Sequence, residues 1–185
     1  MAVPTDPGAH PRRLLAEAGE HYPQAELGRW CAELLSGDDP RDPRSPSLAW
    51  VGGRHAHLLL SGRVDWDTNA YWPRVWGARG LLYVWAPQAT PAVVAGLGDG
   101  HWRVREMAAK VVRHREVGEA ADVLPALAGD PVARVRAAAV RALGAVGEAE
   151  AAEPIQAAAD DERREVRTAA AGALDELARR LDREL

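Results

Sequence analysis

A short pattern occurs three times in this chain at a constant interval. Each copy consists of an Asp, four further residues and then Val-Arg, and the copies begin at Asp99, Asp130 and Asp161. The interval between successive copies is 31 residues both times. A fixed period of this length is typical of stacked repeats in which each copy is one supersecondary unit. The pattern therefore predicts a repeat architecture over the second half of the chain.

The residues that follow each Asp predict helices. Ala, Leu and Arg dominate residues 135–143, and apolar Val135, Ala138, Ala139 and Leu143 recur at steps of three and four residues. A second helix is expected in each repeat, at about 89–97, 119–128 and 148–159. The last helix, at about 162–181, is longer and more polar, as the open end of a stack requires.

The middle copy resembles a HEAT repeat of the short bacterial type found in phycobilisome-lyase-like proteins. The resemblance is carried by Asp130, Val135-Arg136, Leu143-Gly144, Gly147 and Pro154-Ile155. It extends over about residues 99–177, and a degenerate copy is traceable from about residue 70. It implies an all-α fold, a short right-handed α-solenoid of HEAT-like helical hairpins. It does not imply one function, because this family includes binding scaffolds, lyase subunits and alkylpurine-DNA glycosylases.

The resemblance also implies a domain organisation. Residues 1–64 are expected to form an N-terminal helical cap with a mobile N-terminus. Residues 65–185 are expected to pack as one domain, with repeats at about 70–98, 99–129 and 130–160 and a capping helix over 161–185.

The N-terminal part is expected to contain helices over Pro11–Gly19 and Pro23–Ser36. Residues 48–61 fit one helix, two short helices broken at Gly52, or a hairpin that turns at Gly52-Gly53, and we prefer the helical forms. A polar and aromatic loop over 63–72 should precede a helix at about 70–85.

The repeated Asp and Arg residues predict a ladder of ion pairs. Asp99, Asp130 and Asp161 each precede a helix, where a carboxylate accepts the unpaired N–H groups of the first turn. The Arg residues that follow six positions later are Arg105, Arg136 and Arg167. Each lies about one turn into its helix and is within reach of an Asp of its own or an adjacent repeat. We expect a structural role, and a basic ligand-binding stripe is the alternative.

Composition argues against several functional classes. The formal net charge is −4 and the pI about 5.9, which disfavours general nucleic-acid binding. Cys31 is the only cysteine, so an internal disulfide and a Cys-rich metal site are excluded. No apolar stretch approaches 18 residues and no signal-peptide core is present, so we expect a cytoplasmic protein without a membrane span. Lys110 is the only lysine among 23 basic residues, a bias typical of a GC-rich bacterial genome.

The sequence offers no catalytic or metal motif. His55 and His57 are two residues apart; on a helix such side chains point in different directions, whereas on a strand they share a face. No third ligand follows at a metal-binding spacing. We therefore expect neither a metal site nor a cofactor.

Tryptophan is the strongest functional signal. The chain has seven Trp and no Phe. Trp76 and Trp85 are expected in the core. Trp66, Trp72 and Trp102 occupy segments that precede the first helices of neighbouring repeats, so we expect them to be partly exposed and close together along one edge. Polar and aromatic residues of the same segments complete this predicted site: Asp65, Asp67, Asn69, Tyr71, Arg74, His101 and Arg103.

These features predict a non-catalytic binding or scaffold protein that engages a protein or peptide partner through its concave face and its Trp-rich edge. The alternative is a small-molecule-binding or catalytic HEAT protein, lyase-like or alkylpurine-glycosylase-like. In that case Asp65 or Asp67 would act with the Trp cluster, since aromatic walls and a carboxylate hold a cationic base.

Overall fold

The computed structural model describes residues 2–182. Within this range the secondary structure is entirely helical, as the repeat pattern predicts. The chain divides into two compact units, one up to Ala92 and the other from Val93 onwards. The sequence analysis separates an N-terminal cap from the repeats at 64/65, and that division stays a prediction. The final three residues of the expected capping segment 161–185, and Met1 of the expected mobile N-terminus, lie outside the described residues.

Six α-helices lie wholly within the described residues of the first unit, and a 3-10 turn at Pro87–Ala89 follows them. They are α1 (Pro11–Ala18), α2 (Gln24–Ser36), α3 (Ala49–Gly52), α4 (Arg54–Leu60), α5 (Trp66–Asn69) and α6 (Trp72–Gly80). The α2 helix packs against α6 and buries Leu27, Trp30 and Cys31. Gly77 on α6 allows this close approach, because a Cβ there would lie 2.5 Å from the Cys31 carbonyl oxygen.

Residues 48–61 form two short helices, one of the forms that the sequence permits. The break lies at Gly53, whose φ of 56° is unfavourable for residues with a Cβ. The backbone of the N-terminal segment also approaches here, since the Arg54 N–H donates to the Pro7 carbonyl oxygen at 2.9 Å. A Cβ on Gly53 would lie 2.6 Å from that same oxygen.

The prediction for residues 63–85 is wrong in two places. The expected loop contains α5, which begins because the Asp65 carboxylate accepts the Thr68 N–H at 2.7 Å. The expected long helix ends at Gly80, and turns follow it. Trp76 is therefore buried on α6, whereas Trp85 lies beyond the helix and is partly exposed.

The second unit is a stack of helical hairpins. Its long first helices are α8 (Trp102–Arg115), α10 (Ala133–Val146) and α12 (Arg164–Leu181). They alternate with short second helices, which are α7 (Thr90–Gly96, across the unit boundary), α9 (Leu124–Leu127) and α11 (Ala152–Ala157). The α10 helix packs against both α8 and α12. This arrangement is an all-α solenoid.

The second helices are shorter than the sequence analysis expects. Pro125 and Pro154 lie inside the predicted helices, and proline has no N–H to donate to the preceding turn. The structure accordingly has single 3-10 turns at 118–120 and 149–151, and α9 and α11 follow them.

Small residues hold α10 close to its neighbours. Ala137, Ala138 and Ala142 are buried on α10. A Cβ on Gly144 would lie 2.8 Å from the Cα of Ala173 on α12. The separation of α10 and α12 is therefore set by the absence of a side chain at Gly144.

Two glycine substitutions test this packing. Gly144→Ala should destabilise the protein by about 1–3 kcal/mol, because the added methyl group overpacks the contact with α12. Gly172→Ala is the matched control, because Gly172 also lies inside a helix but a Cβ there meets no atom within 4 Å. Ala should stabilise that position by up to about 1 kcal/mol. Urea unfolding followed by circular dichroism measures both changes, and equal effects at the two positions would contradict the packing argument.

Candidate functional site

Arg105 joins two successive repeats of the second unit. Its Nε and Nη2 donate to the two carboxylate oxygens of Asp130, at 2.7 and 3.1 Å. Its Nη1 donates to the Asp99 carbonyl oxygen at 2.9 Å. The guanidinium is thus held by the backbone of its own repeat and pairs with the carboxylate of the next repeat.

Arg136 repeats this arrangement one repeat later. Its Nε and Nη2 donate to Asp161 at 2.6 and 2.9 Å, and its Nη1 donates to the Asp130 carbonyl oxygen at 3.0 Å. The side chains of Arg136 and Asp161 are both 12% exposed. Hydrogen bonds from Arg136 are the main reason why the pKa of Asp161 lies below its ordinary value. Two-point pairing of this kind is stronger and more directional than an exposed ion pair.

The sequence analysis expects the three Asp residues to cap the helices, and this prediction is wrong. The caps are His101, Val132 and Arg163. Each Asp lies two residues earlier, and its carboxylate accepts the N–H of the cap residue at 2.7 to 2.8 Å. Asp therefore stabilises the turn that leads into the helix, as short Asp side chains commonly do.

The ladder ends at Arg167 among the described residues. Its Nη1 donates to the carbonyl oxygens of Asp161 and Glu162 at 2.8 and 3.0 Å. No carboxylate of the described part of the chain pairs with it. Arg167 is exposed.

A second cluster lies at the start of α8 and α10, and we call it the Trp102 patch. It consists of Trp102, Arg103, Glu106, Lys110 and Arg134. Trp102 is partly exposed, and the guanidinium carbons of Arg103 and Arg134 lie 4.4 and 5.6 Å from its ring centroids. Cations at such distances are attracted to the face of an indole ring.

Glu106 organises the cations of the Trp102 patch. It is only 6% exposed. Its carboxylate lies 2.7 Å from Lys110 Nζ and 3.1 Å from Arg134 Nη2. Two cationic side chains therefore pair with one buried carboxylate, and these three groups together carry one net positive charge.

His101 lies beside the Trp102 patch. Its Nδ1 accepts the Arg103 N–H at 3.3 Å, and its ring stacks on that of Trp102 with centroids 6.1 Å apart. His101 thus fixes the first turn of α8.

The first unit contains a cavity between α4, α5 and α6. Its volume is about 340 Å³. Its walls are mostly apolar or aromatic, and three polar side chains contribute to them; the lining residues are His55, Leu58, Leu59, Val64, Asn69, Trp72, Trp76 and Arg79. Trp72 and Trp76 stack with ring centroids 5.9 Å apart, which makes one wall flat.

Comparison with known families identifies the second unit. A family model described as HEAT repeats matches residues 90–175. Residues 90–175 are HEAT repeats. No curated protein matches the chain at a significant level. HEAT repeats commonly serve as protein-interaction scaffolds.

The predicted edge of this HEAT-repeat protein is divided between the two units. Trp66 and Trp72 belong to the first unit and Trp102 to the second, and all three are partly exposed. Their proximity therefore stays a prediction. Within the first unit, the guanidinium carbon of Arg41 lies 4.9 Å from the centroid of the Trp66 ring. The ring centroids of Tyr71 and Trp72 are 5.0 Å apart.

The predicted acidic residues do not line the cavity. Asp65 caps α5, and its hydrogen bonds with Thr68 hold the pKa of its carboxyl below the ordinary value. Asp67 is exposed. Asn69 does line the cavity, and its Nδ2 donates to the Asp65 carbonyl oxygen at 2.8 Å. Arg74 donates to the Ala70 carbonyl oxygen at 3.4 Å.

Sequence reasoning missed four charged residues at these sites: Arg79, Glu106, Lys110 and Arg134. One local signal was available, because Glu106 and Lys110 are four residues apart on a helix, a spacing that favours ion pairs. A second signal was available at Arg79, because its neighbours on α6, Ala78 and Gly80, are small and buried. Nothing in the sequence places Arg134 beside Trp102.

Among the described residues, no helix is long and apolar enough to cross a membrane. The same residues contain no group of three or more His, Cys, Asp or Glu that is arranged to hold a metal ion.

Arg136→Ala tests the ladder. We expect it to lower the free energy of unfolding by about 1–2 kcal/mol at pH 7, because it leaves the largely buried Asp161 carboxylate without its partner. Arg167→Ala is the matched control, since Arg167 makes the same backbone hydrogen bonds but pairs with no carboxylate of the described residues. Its effect should be smaller. Urea unfolding measures both, and equal losses would assign the effect to the backbone hydrogen bonds alone.

The effect of Arg136→Ala should also depend on pH. A carboxyl whose pKa is lower in the folded state stabilises the protein above its unfolded pKa, about 3.9, and this contribution is lost as the pH falls through the folded pKa. Wild type and Arg136→Ala should therefore differ most above about pH 5 and converge below about pH 4. Unfolding curves from pH 7 to pH 2 measure the difference. A difference that stays constant down to pH 2 would exclude the Asp161 pair as its source.

Proposed function

We propose that this HEAT-repeat protein is a non-catalytic binding protein that holds a protein or peptide partner, with the Trp102 patch as its main contact surface. The supporting observation is the partly exposed Trp102 ring beside the guanidinium groups of Arg103 and Arg134. Trp and Arg are the residues that contribute most to binding energy at protein interfaces.

The geometry of the patch reduces the cost of binding. Arg134 is already held by Glu106, and Arg103 by the Trp102 ring, so these side chains lose little conformational freedom when a partner binds. Glu106 itself is buried and paired with two cations. It is therefore engaged in positioning and does not face a substrate.

The charge of the patch indicates the kind of partner. Lys110 and Arg134 exceed Glu106 by one positive charge. A partner segment with carboxylates and one apolar side chain would complement both the cations and the indole ring. The predicted contributions of the concave face, Trp66 and Trp72 remain part of this proposal.

Trp102→Ala is the decisive variant for this function. A partner isolated by affinity capture should be purified, and its Kd for each variant measured by calorimetry. Trp102→Ala should weaken binding by about 1–3 kcal/mol, because Trp residues at interfaces are frequent hot spots. Val123→Ala is the control, since Val123 is an exposed apolar residue of the same unit outside the patch. A partner that binds both variants as tightly as wild type would place the interface elsewhere.

A glycosylase-like function has less support. It would require a carboxylate beside the aromatic walls, and the cavity lining includes neither Asp65 nor Asp67. The cavity carries the guanidinium of Arg79, which would repel a cationic base.

Nucleic-acid binding can be tested directly. With a net charge of −4, the protein should show no measurable binding to plain duplex DNA at physiological salt, because it neutralises too few phosphates. Fluorescence anisotropy with a labelled duplex measures this. Salt-sensitive binding at micromolar concentration would be the contrary result and would favour the glycosylase-like alternative.

A further inference from the structure

Arg79 is a part-buried cation on α6, and the described residues offer it no counter-ion. No carboxylate of residues 2–182 lies within ion-pairing distance of it, and its one hydrogen bond within that range runs from Nη2 to the Val51 carbonyl oxygen at 2.6 Å. Its Nε is fully buried and has no hydrogen-bond partner there. Charges removed from water are normally paired, because desolvation of an unpaired charge is unfavourable.

The role of Arg79 as a donor to Val51 does not account for its charge. A single hydrogen bond to a carbonyl oxygen needs only one neutral N–H group. Burial even lowers the pKa of Arg79, so the surroundings disfavour the charged form. A guanidinium nevertheless stays protonated in proteins, and it presents several donors in a fixed plane suited to a carboxylate.

Arg79 lines the apolar cavity of the first unit. The walls of this cavity include Leu58, Leu59 and Val64, together with the stacked Trp72 and Trp76. Its volume falls within the range of small-molecule sites, which are mostly apolar with a few polar groups that orient the ligand. Asn69 and His55 are the other polar residues at its walls.

We propose that this cavity binds a small carboxylic acid with a flat apolar body, whose carboxylate pairs with Arg79 and whose body packs against Trp72 and Trp76. This site is separate from the Trp102 patch and does not depend on it. A single permanent cation matches a single negative charge. A phosphate dianion would bring a second charge into apolar walls that offer no second guanidinium or ammonium group.

The probe for this site is 1-naphthoate, compared with its neutral analogue 1-naphthamide. Calorimetry on the wild-type protein should show that the carboxylate binds at least about tenfold more tightly than the amide, because only the carboxylate forms the charge-assisted pair. In an NMR spectrum of the indole N–H groups, naphthoate should shift the signals of Trp72 and Trp76, assigned by Trp→Phe substitution, more than those of Trp102.

Arg79→Met should abolish the preference for the carboxylate and leave the affinity for 1-naphthamide within about twofold of wild type, since Met keeps an apolar side chain of similar length. Arg12→Met is the matched control, because Arg12 is exposed on α1 and its loss changes the net charge equally. It should keep the preference.

Three results would overturn the proposal: equal affinity of wild type for the two probes, no naphthoate binding at millimolar concentration, or unchanged naphthoate binding by a folded Arg79→Met. If Arg79→Met does not fold, the comparison of the two probes on wild type and the indole shifts still decide. None of these measurements involves a protein partner. A negative result would therefore contradict the cavity site without bearing on the Trp102 patch.

Discussion

The two-point pairing between an Arg of one repeat and an Asp of the next is the interaction on which the stacked unit depends. A hydrophobic contact between helices tolerates sliding, whereas a guanidinium that faces a carboxylate through two hydrogen bonds does not. Arg136 is also tied to the Asp130 carbonyl oxygen of its own repeat. Asp161, in turn, accepts the Arg163 N–H and so shapes the turn into α12. One pair thus links the geometry of a turn to the position of the neighbouring repeat.

Close packing of the long helices complements this pairing. The α10 helix is buried on nearly every side, and its core is built largely from Ala and Gly. Small side chains contribute less hydrophobic burial per residue, but they allow backbones to approach closely, as at Gly144 and Ala173.

Buried charges distinguish the two sites of this protein. Glu106 is buried with two cations, so its charge is compensated within the chain and serves to position the Trp102 patch. Arg79 is part-buried without an anion among the described residues, and its Nε has no hydrogen-bond partner there, which supports the proposed ligand. The same physical cost of burying a charge supports an organising role in one unit and a binding role in the other.

The sequence by itself determined the helical fold and the repeat, because a 31-residue period and helical spacing of apolar residues are local properties that survive in any tertiary context. It also marked Asp130, Arg136 and Asp161 as a set. It did not determine where helices break, since Gly53 and Pro125 act together with the backbone that approaches them. Nor did it determine the sites. Only the tertiary structure placed Arg134 beside Trp102 and Arg79 at the wall of the apolar cavity. In both cases the chain brings together residues that are distant in sequence, and no local pattern encodes such contacts.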